Sequence, residues 1–333
     1  MTKKYYGIGI TVFIALLVGY HFLAASQAES QIDEALQEQS EQNPRFSVQY
    51  SAVEVAPFTA TLVLRNLTVV LGDHIERAQK LQLDMSYFDF LNVYFGGLPY
   101  GLENLTSAEI LFVKPTYVNQ DGLEEIKADS LRLRYSGNAM DGLQSAINGT
   151  PFGHRHSIEA SSSELVVSVP QTTLTRVTAS KFRYSGSVDA QTSNFWLNGN
   201  HQFGMDSLVW TPSESFQNSY SFFIKGFGYP TDAIPFQSAQ LHVKPTSDIN
   251  QLRMESTVKS DLALFSGSGH VALKEPFGSS QFVNTRLSLT QLSDSLKNVI
   301  GNIERLFNIT LPKENDSISI RLGGTISNPE ITE

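Results

Sequence analysis

The sequence predicts a mainly β protein, in which one N-terminal transmembrane helix precedes a long series of antiparallel strands. Three observations carry this prediction. Apolar and polar residues alternate with a period of two along most of the chain, clusters of Gly, Asn, Asp, Ser and Pro separate the alternating runs, and one uninterrupted apolar segment stands near the N-terminus. Alternation at that period places one set of side chains on a single face of a sheet.

The alternating runs fill residues 45–333. Clusters such as 119–122 and 266–269 separate them and predict hairpins and short loops. The pattern alone leaves two architectures open: a sheet that bounds an unfilled groove, and a two-sheet sandwich whose core these residues fill. The apolar residues that recur at alternate positions are Leu81, Leu83, Leu131, Leu133, Leu165, Val167, Leu241, Val243, Leu287, Leu289, Ile318 and Ile320.

Residues 5–25 contain no Lys, Arg, Asp or Glu. At about 1.5 Å rise per residue, a helix of this length matches the ~30 Å hydrocarbon core of a bilayer. Two lysines lie within residues 1–4 and three carboxylates follow within 29–34, so the positive-inside rule places residues 1–4 in the cytoplasm and the rest of the chain across the membrane. A cleaved signal peptide, cut near residues 24–28, is the alternative to a retained anchor.

Three further segments deviate from the strand pattern. Residues 26–44 are rich in Glu, Gln, Ser and Ala, which is typical of a short polar helix or of a juxtamembrane linker. The aromatic run at 87–95 fits either a helix or a buried strand. At about 293–307 the spacing predicts an amphipathic helix capped by Ser293, with one apolar stripe formed by Leu292, Leu296, Val299, Ile300, Ile303, Leu306 and Phe307.

Two pairs of segments resemble each other within the chain. Residues 107–115 resemble 238–245, and residues 128–137 resemble 179–186, where each strand closes on Tyr followed by Ser-Gly. Serial repetition predicts strand units stacked along an axis. Chance likeness among short amphipathic strands is the alternative reading.

Composition excludes several classes of chemistry. The net charge is −9 over 333 residues, and no basic run could neutralise a row of phosphates, so nucleic acid is not expected as a partner. The chain has no Cys, which rules out thiolate metal sites, Cys nucleophiles and disulfides.

The remaining motifs do not indicate catalysis. His154 and His156 are spaced to share one face of a strand and could bind a metal, but their Gly- and Pro-rich surroundings favour a solvated loop. Ser161, Ser162 and Ser163 lack a nucleophile-elbow context, and no phosphate-binding glycine motif is present. We therefore expect no catalytic residue, no metal site and no cofactor, in a protein that is not an enzyme.

Aromatic residues are crowded between residues 195 and 229. If this segment is a strand, Phe222 and Phe223 point to opposite faces, so at least one of them leaves the principal core. Core packing is the favoured explanation for the crowding, and a lipid or partner surface is the second.

Residues 105–122 predict a strand that closes on Pro115, followed by a second short strand and a turn ending in Gly122, and residues 323–331 contain glycines, a strand and an Asn-Pro turn. These two segments look like the AsmA-like family of bacterial envelope proteins, whose closing motif is a glycine, a strand and an Asn-Pro or similar turn. The DUF945 proteins and the N subunit of type II secretion share this look.

The resemblance implies an elongated, twisted groove that shields acyl chains, on a protein anchored in the bacterial inner membrane with its bulk in the periplasm. Phospholipid or another acyl lipid is then the expected ligand, the twelve alternating residues line the groove, and the function is lipid transport or outer-membrane biogenesis. The alternative is a non-catalytic scaffold or secretion-system subunit that pairs with other envelope proteins through its sheet edges. About one strand per 12 residues predicts roughly 20 strands and a body up to ~100 Å long.

Overall fold

The computed structural model describes residues 46–56, 59–71, 74–92, 103–119, 125–148, 150–169, 175–192, 195–248, 250–274, 277–308, 310–314 and 317–332, with the isolated positions 26, 30 and 34. The transmembrane helix predicted at 5–25 lies outside the described residues, as does most of the polar segment at 26–44. Among the helices that are described, none combines the length and the apolar character needed to cross a bilayer.

All described strands belong to one antiparallel sheet. In chain order they are β1 (Phe46–Gln49), β2 (Ala52–Ala56), β3 (Thr61–Leu71), β4 (His74–Asp84), β5 (Ser107–Val113), β6 (Thr116–Asn119), β7 (Glu125–Ala128), β8 (Ser130–Ser136), β9 (His156–Ser162), β10 (Leu165–Val169), β11 (Thr175–Val188), β12 (Asn200–Thr211), β13 (Ile234–Pro245), β14 (Gln251–Lys259), β15 (Leu264–Ala272), β16 (Gln281–Thr290), β17 (Lys313–Glu314), β18 (Ser317–Gly324) and β19 (Pro329–Thr332).

Helices occupy several of the connections between strands. They are α1 (87–92), α2 (Ala139–Asn148), α3 (Phe195–Asn198), α4 (Glu214–Gly226) and α5 (Asp294–Phe307), with one 3-10 turn at Phe277–Ser279. The amphipathic helix predicted at 293–307 is confirmed as α5, and the Ser293 side chain accepts a hydrogen bond from the Leu296 N–H as its N-cap. Residues 87–92 adopt the helical alternative.

The strands form a meander. In five places two short strands lie end to end, so together they fill one position across the sheet. The end-to-end pairs are β1 with β2, β5 with β6, β7 with β8, β9 with β10, and β17 with β19. Because five pairs lie end to end, the 19 strands occupy 14 positions across the sheet. At ~4.8 Å per strand the sheet is about 60 Å across, which is shorter than the sequence-based expectation.

A line of kinks crosses the sheet from β3 to β13 and explains the divided strands. In the undivided strands, the ladder of paired residues is interrupted at Asn66 of β3 and at Ser207 of β12. Between β3 and β12 several strands are themselves divided. β5 ends just before Lys114 and β6 begins just after it, and the Lys114 N–H donates to the carbonyl of Asp129, which lies between β7 and β8. Asn66, Lys114 and Ser207 all have φ near +50°, the left-handed conformation found at bulges.

Each kink inverts the alternation of the strand by one residue. Leu64 and Leu67 are both buried although they lie three positions apart in the strand, and Ala179 and Tyr184 are both buried although they lie five positions apart. A regular strand would turn one member of each pair to the opposite face. The kinks therefore bend the strands while they keep the apolar side chains of both halves on one face.

The turn expected at 266–269 is wrong, and the condition under which Phe222 and Phe223 would point to opposite faces is not met. Residues 266–269 lie inside β15 and not in a turn: a Cβ on Gly269 would lie 2.4 Å from the Cα of Thr285, so this glycine permits close approach of two strands. Phe222 and Phe223 lie in α4, so strand alternation does not apply to them.

The connections divide between two ends of the sheet. The paired ladder Phe46, Leu71, His74 and Asn119 marks the end at which the described sheet begins, here called the proximal end. The links that contain α4 and α5 lie at this proximal end, whereas those that contain α1, α2 and α3 lie at the opposite, distal end.

Candidate functional site: an open apolar face of the sheet

The twelve apolar residues predicted from alternation all lie on one face of the sheet. Leu83 is paired with Ile110, which is paired with Leu133, and the row crosses the sheet to Ile320 through residues that are paired in turn. The intermediate members are Ala160, Tyr184, Phe203, Leu241, Ser256, Gly267 and Leu287. Leu165 and Val167 lie beyond the kink line, where Leu165 is paired with buried Ala179.

Each of these twelve side chains is half-buried: none is fully covered and none is exposed. Full burial on the same face occurs at scattered positions such as Leu208, Leu252 and Val271. Because every described strand belongs to the one sheet, no second sheet packs over this face within the described residues. The apolar face is therefore only partly filled by the protein's own described side chains.

The distal end of the apolar face is closed by packed helices. Phe90 of α1 packs with Val55 and Ala60 in a small core, against which Val53, Leu62 and Met85 also pack. Ser86 caps α1, because its hydroxyl accepts from the Asp89 N–H and donates to the Asp89 carboxylate. This end is better packed than the middle of the face.

A buried polar cluster joins α2 to the distal end of β8 and β9. The Tyr135 hydroxyl lies 2.7 Å from Nδ1 of His156, and Nε2 of the same ring lies 2.8 Å from Oδ2 of Asp141. The Asp141 carboxylate also accepts from the backbone N–H groups of Gly153 and His154, each at 2.9 Å. His156 is 2% exposed and packs against the Phe152 ring, so the cluster is enclosed.

Burial and hydrogen bonding set the protonation of this cluster. Burial raises the pKa of Tyr135 to about 12, and the charge of Asp141 adds to that effect. Burial opposes ionisation of Asp141, but hydrogen bonds from Gly153, His156 and His154 outweigh it and lower the pKa of Asp141 to about 2. A neutral phenol and an ionised carboxylate hold the imidazole between them.

A second Tyr–His pair lies one repeat further along the chain. The Tyr184 hydroxyl lies 2.9 Å from Nδ1 of His201, whose Nε2 lies 3.0 Å from the Phe195 carbonyl oxygen. Both tyrosines are the residues that precede Ser-Gly in the repeated segments 128–137 and 179–186. Each tyrosine hydroxyl is hydrogen-bonded to a histidine at the start of a later strand, His156 in β9 and His201 in β12. The two similar sequence segments therefore make the same kind of contact in the structure.

The solvated-loop interpretation of the His154 and His156 pair is wrong for His156. His154 is exposed, but His156 turns inward because the Asp141 carboxylate, brought in from α2, anchors it. Sequence reasoning missed Asp141, since it lies far from His156 along the chain. The available signal was the shared pattern of Tyr-Ser-Gly, a helix and a histidine at the start of a strand.

The opposite face of the sheet is polar and concave where β8, β9 and β11–β15 cross it. A cavity of about 960 Å³ lies there. Its lining includes Arg134, Glu159, Gln202, His242 and Glu255 from the rows that alternate with the apolar row, and also Tyr184, Phe203 and Leu241 of the apolar row itself. Arg132 and Arg134 pair with Glu109, and Arg183 with Asp206, so the charges on this face are mixed. The arrangement resembles a hydrated surface more than a catalytic cleft.

Ser161 lies on this polar face, whereas Ser162 is buried and donates to the Glu164 carbonyl. Among the described residues, no group of three or more His, Asp or Glu side chains is arranged to hold a metal ion. The enclosed Tyr135, His156 and Asp141 cluster orients groups of the kind that transfer protons, and its hydrogen bonds tie α2 to β8 and β9.

Within the described residues, the fold and the site thus define a β protein with one sheet and a half-covered apolar face. Comparison of the sequence with protein-family models and curated proteins, and of the fold with solved structures, found no match. The resemblance to AsmA-like envelope proteins therefore stays a prediction.

Proposed function

We propose that the protein binds the acyl chains of a phospholipid or similar lipid along the apolar face of its sheet, as an inner-membrane-anchored periplasmic protein that contributes to lipid transport or outer-membrane biogenesis. One observation carries the proposal: the twelve residues lie on one face of the sheet, in rows that cross it through other residues such as Ala160, Phe203, Ser256 and Gly267, and each of the twelve is only half-buried. An acyl chain that covers this apolar surface removes it from water, and that burial stabilises the complex.

The energetics are favourable for a lipid and need no catalytic group. Burial is worth roughly 0.8 kcal/mol per CH₂, so a chain of about 16 carbons that is covered on one side could gain roughly 6 kcal/mol before ordering costs. The aromatic ring of Phe203 and the half-covered side chains of Leu133 and Leu241 offer this contact near the middle of the sheet. The polar cavity on the opposite face would remain in water.

Lipid extraction from the purified full chain tests the proposal. Full-length protein in mild detergent should carry co-purifying phospholipid, identified by mass spectrometry after extraction and measured per mole of protein. The double variant Leu133→Gln and Leu241→Gln should lose most of that lipid. The matched control, Arg134→Gln with Gln240→Asn on the polar face of the same strands, should retain it. Equal lipid content in all three proteins would reject the apolar face as the binding surface.

A second candidate function has its own supporting observation at the last edge of the sheet. All four residues of β19 are exposed, Ile331 is 73% exposed, and β19 pairs with β18 on one side. An exposed edge strand is a template for a strand from another envelope protein. Ile331→Lys should then abolish co-purification of that partner and leave lipid content unchanged.

A further inference from the structure

Two helices at the proximal end of the sheet present large apolar side chains to solvent. Phe222 of α4 is 83% exposed and Leu306 of α5 is 80% exposed. Both line one concavity of about 450 Å³, together with Val299, Ile303, Arg305 and Gly226, so the C-terminal halves of the two helices lie side by side. We call Phe222, Leu306, Lys225 and Arg305 the helical patch.

Basic residues flank the apolar ones in this patch. Lys225 lies in the last turn of α4 and Arg305 in the last turn of α5, and both are exposed. The neighbouring carboxylate, Glu304, is paired with Lys313, and the Leu311 N–H donates to it as well. Exposed apolar side chains with basic neighbours are the combination that favours an anionic bilayer interface.

The position of the patch in the fold points to one particular bilayer. The described chain enters the sheet at the proximal end, through β1, and α4 and α5 lie in links at that same end. Residues 26–45 separate the predicted membrane segment from β1, and a chain of that length reaches up to about 65 Å when extended. The patch lies about 35 to 55 Å across the sheet from β1, which is within this reach.

We infer that the helical patch docks onto the surface of the bilayer that holds residues 5–25, with Phe222 and Leu306 inserted among the lipids and Lys225 and Arg305 against anionic headgroups. The inference rests on the membrane anchorage that forms part of the proposed function, but it does not require lipid on the apolar face. Docking would fix the proximal end of the sheet at the membrane surface.

Site-specific fluorescence tests this contact, because the natural chain has no Cys to interfere with labelling. The full chain, carrying Phe222→Cys or Leu306→Cys with an environment-sensitive fluorophore, is reconstituted into vesicles of phosphatidylethanolamine and phosphatidylglycerol. Phospholipids with a spin label on the acyl chain then act as quenchers. Phe88→Cys is the matched control, since Phe88 is 78% exposed but belongs to α1 at the distal end.

Emission at 222 and 306 should fall by about half as spin-labelled lipid is added, while emission at 88 stays nearly constant. Lys225→Glu with Arg305→Glu should reduce the quenching at 222 severalfold, as should replacement of phosphatidylglycerol by phosphatidylcholine. Quenching that is absent at 222 and 306, or equal at 88, would overturn the inference. Rapid disulfide formation between two copies of unlabelled Phe222→Cys in air, with oxygen as the oxidant, would overturn it in favour of a contact between copies if the labelled variant is also unquenched.

A separate probe distinguishes this result from failure of the proposed function. Leu241→Cys lies on the apolar face, so its fluorophore reports lipid bound there. Quenching at 241 without quenching at 222 and 306 would reject the docking alone, and the reverse pattern would reject the lipid-binding face alone.

Discussion

The Tyr135 hydroxyl lies 2.7 Å from Nδ1 of His156 and 2.8 Å from the Asn138 carbonyl oxygen, while Nε2 of His156 lies 2.8 Å from the Asp141 carboxylate. Since Asp141 is ionised, Nε2 must carry a proton. The Asn138 carbonyl oxygen also accepts from the Gly142 N–H at 2.9 Å, so Tyr135 and the first turn of α2 share one acceptor.

Asp141→Asn should destabilise the protein in a pH-dependent way. The pKa of Asp141 is lowered from 3.8 to about 2 in the folded chain, so its contribution is present above pH ~4 and is lost as the pH falls towards 2. At 1.4 kcal/mol per unit, the contribution is roughly 2 kcal/mol. Denaturant unfolding of the full chain in detergent at pH 7 and at pH 2.5 should show the difference from wild type shrinking. Asp206→Asn, which removes an exposed ion pair, should cost under about 0.5 kcal/mol at both pH values.

Gly137→Ala should strain the same cluster. Gly137 has φ +146°, and a Cβ there would lie 2.5 Å from Nδ1 of His156 and 3.0 Å from the Tyr135 hydroxyl. We expect a loss of about 2 to 3 kcal/mol in the free energy of unfolding. Gly301→Ala in α5 is the control: nothing lies within 4 Å of its added Cβ, and the higher helix propensity of Ala should stabilise by about 0.5 to 1 kcal/mol. Equal effects at both glycines would contradict this account.

Ser207→Val should test the kink line. Ser207 is exposed and has φ +49°, a conformation that a β-branched residue adopts only with strain. The expected loss is about 1 to 2 kcal/mol in denaturant unfolding. Ser185→Val, at an exposed position of the neighbouring strand β11, should be neutral or slightly stabilising, because valine favours a regular strand. A neutral Ser207→Val would mean that the kink there imposes no conformational demand.

Leu208→Ala and Leu241→Ala should separate an open face from a filled core. Leu208 is 8% exposed, so its truncation should leave a cavity and cost about 3 kcal/mol in the free energy of unfolding. Leu241, on the adjacent strand β13, is half-buried and should cost about 1 kcal/mol. Equal costs of about 3 kcal/mol in lipid-free protein would indicate that another layer covers Leu241 in solution.

Much of the β architecture follows from local pattern. Alternation at Leu131 and Leu133, or at Leu287 and Leu289, can be read from neighbouring residues, since a strand places every second side chain on one face. The helix from Asp294 to Phe307 was predictable for the same reason, because its cap and its apolar stripe are both local signals. The strands that join end to end and the kink line were not predictable, because each kink is an interruption in the pairing with a neighbouring strand that lies elsewhere in the sequence.

The order of residues is enough to specify which side chains are apolar at alternate positions, and therefore that one face of a sheet would be apolar. Three outcomes required the folded chain: the described strands join into a single sheet, Leu165 and Val167 share the face of Leu241 across the kinks, and His156 turns inward to Asp141. These outcomes depend on contacts between residues far apart in the chain. Their free energy comes from pairing and burial that no local segment can supply alone.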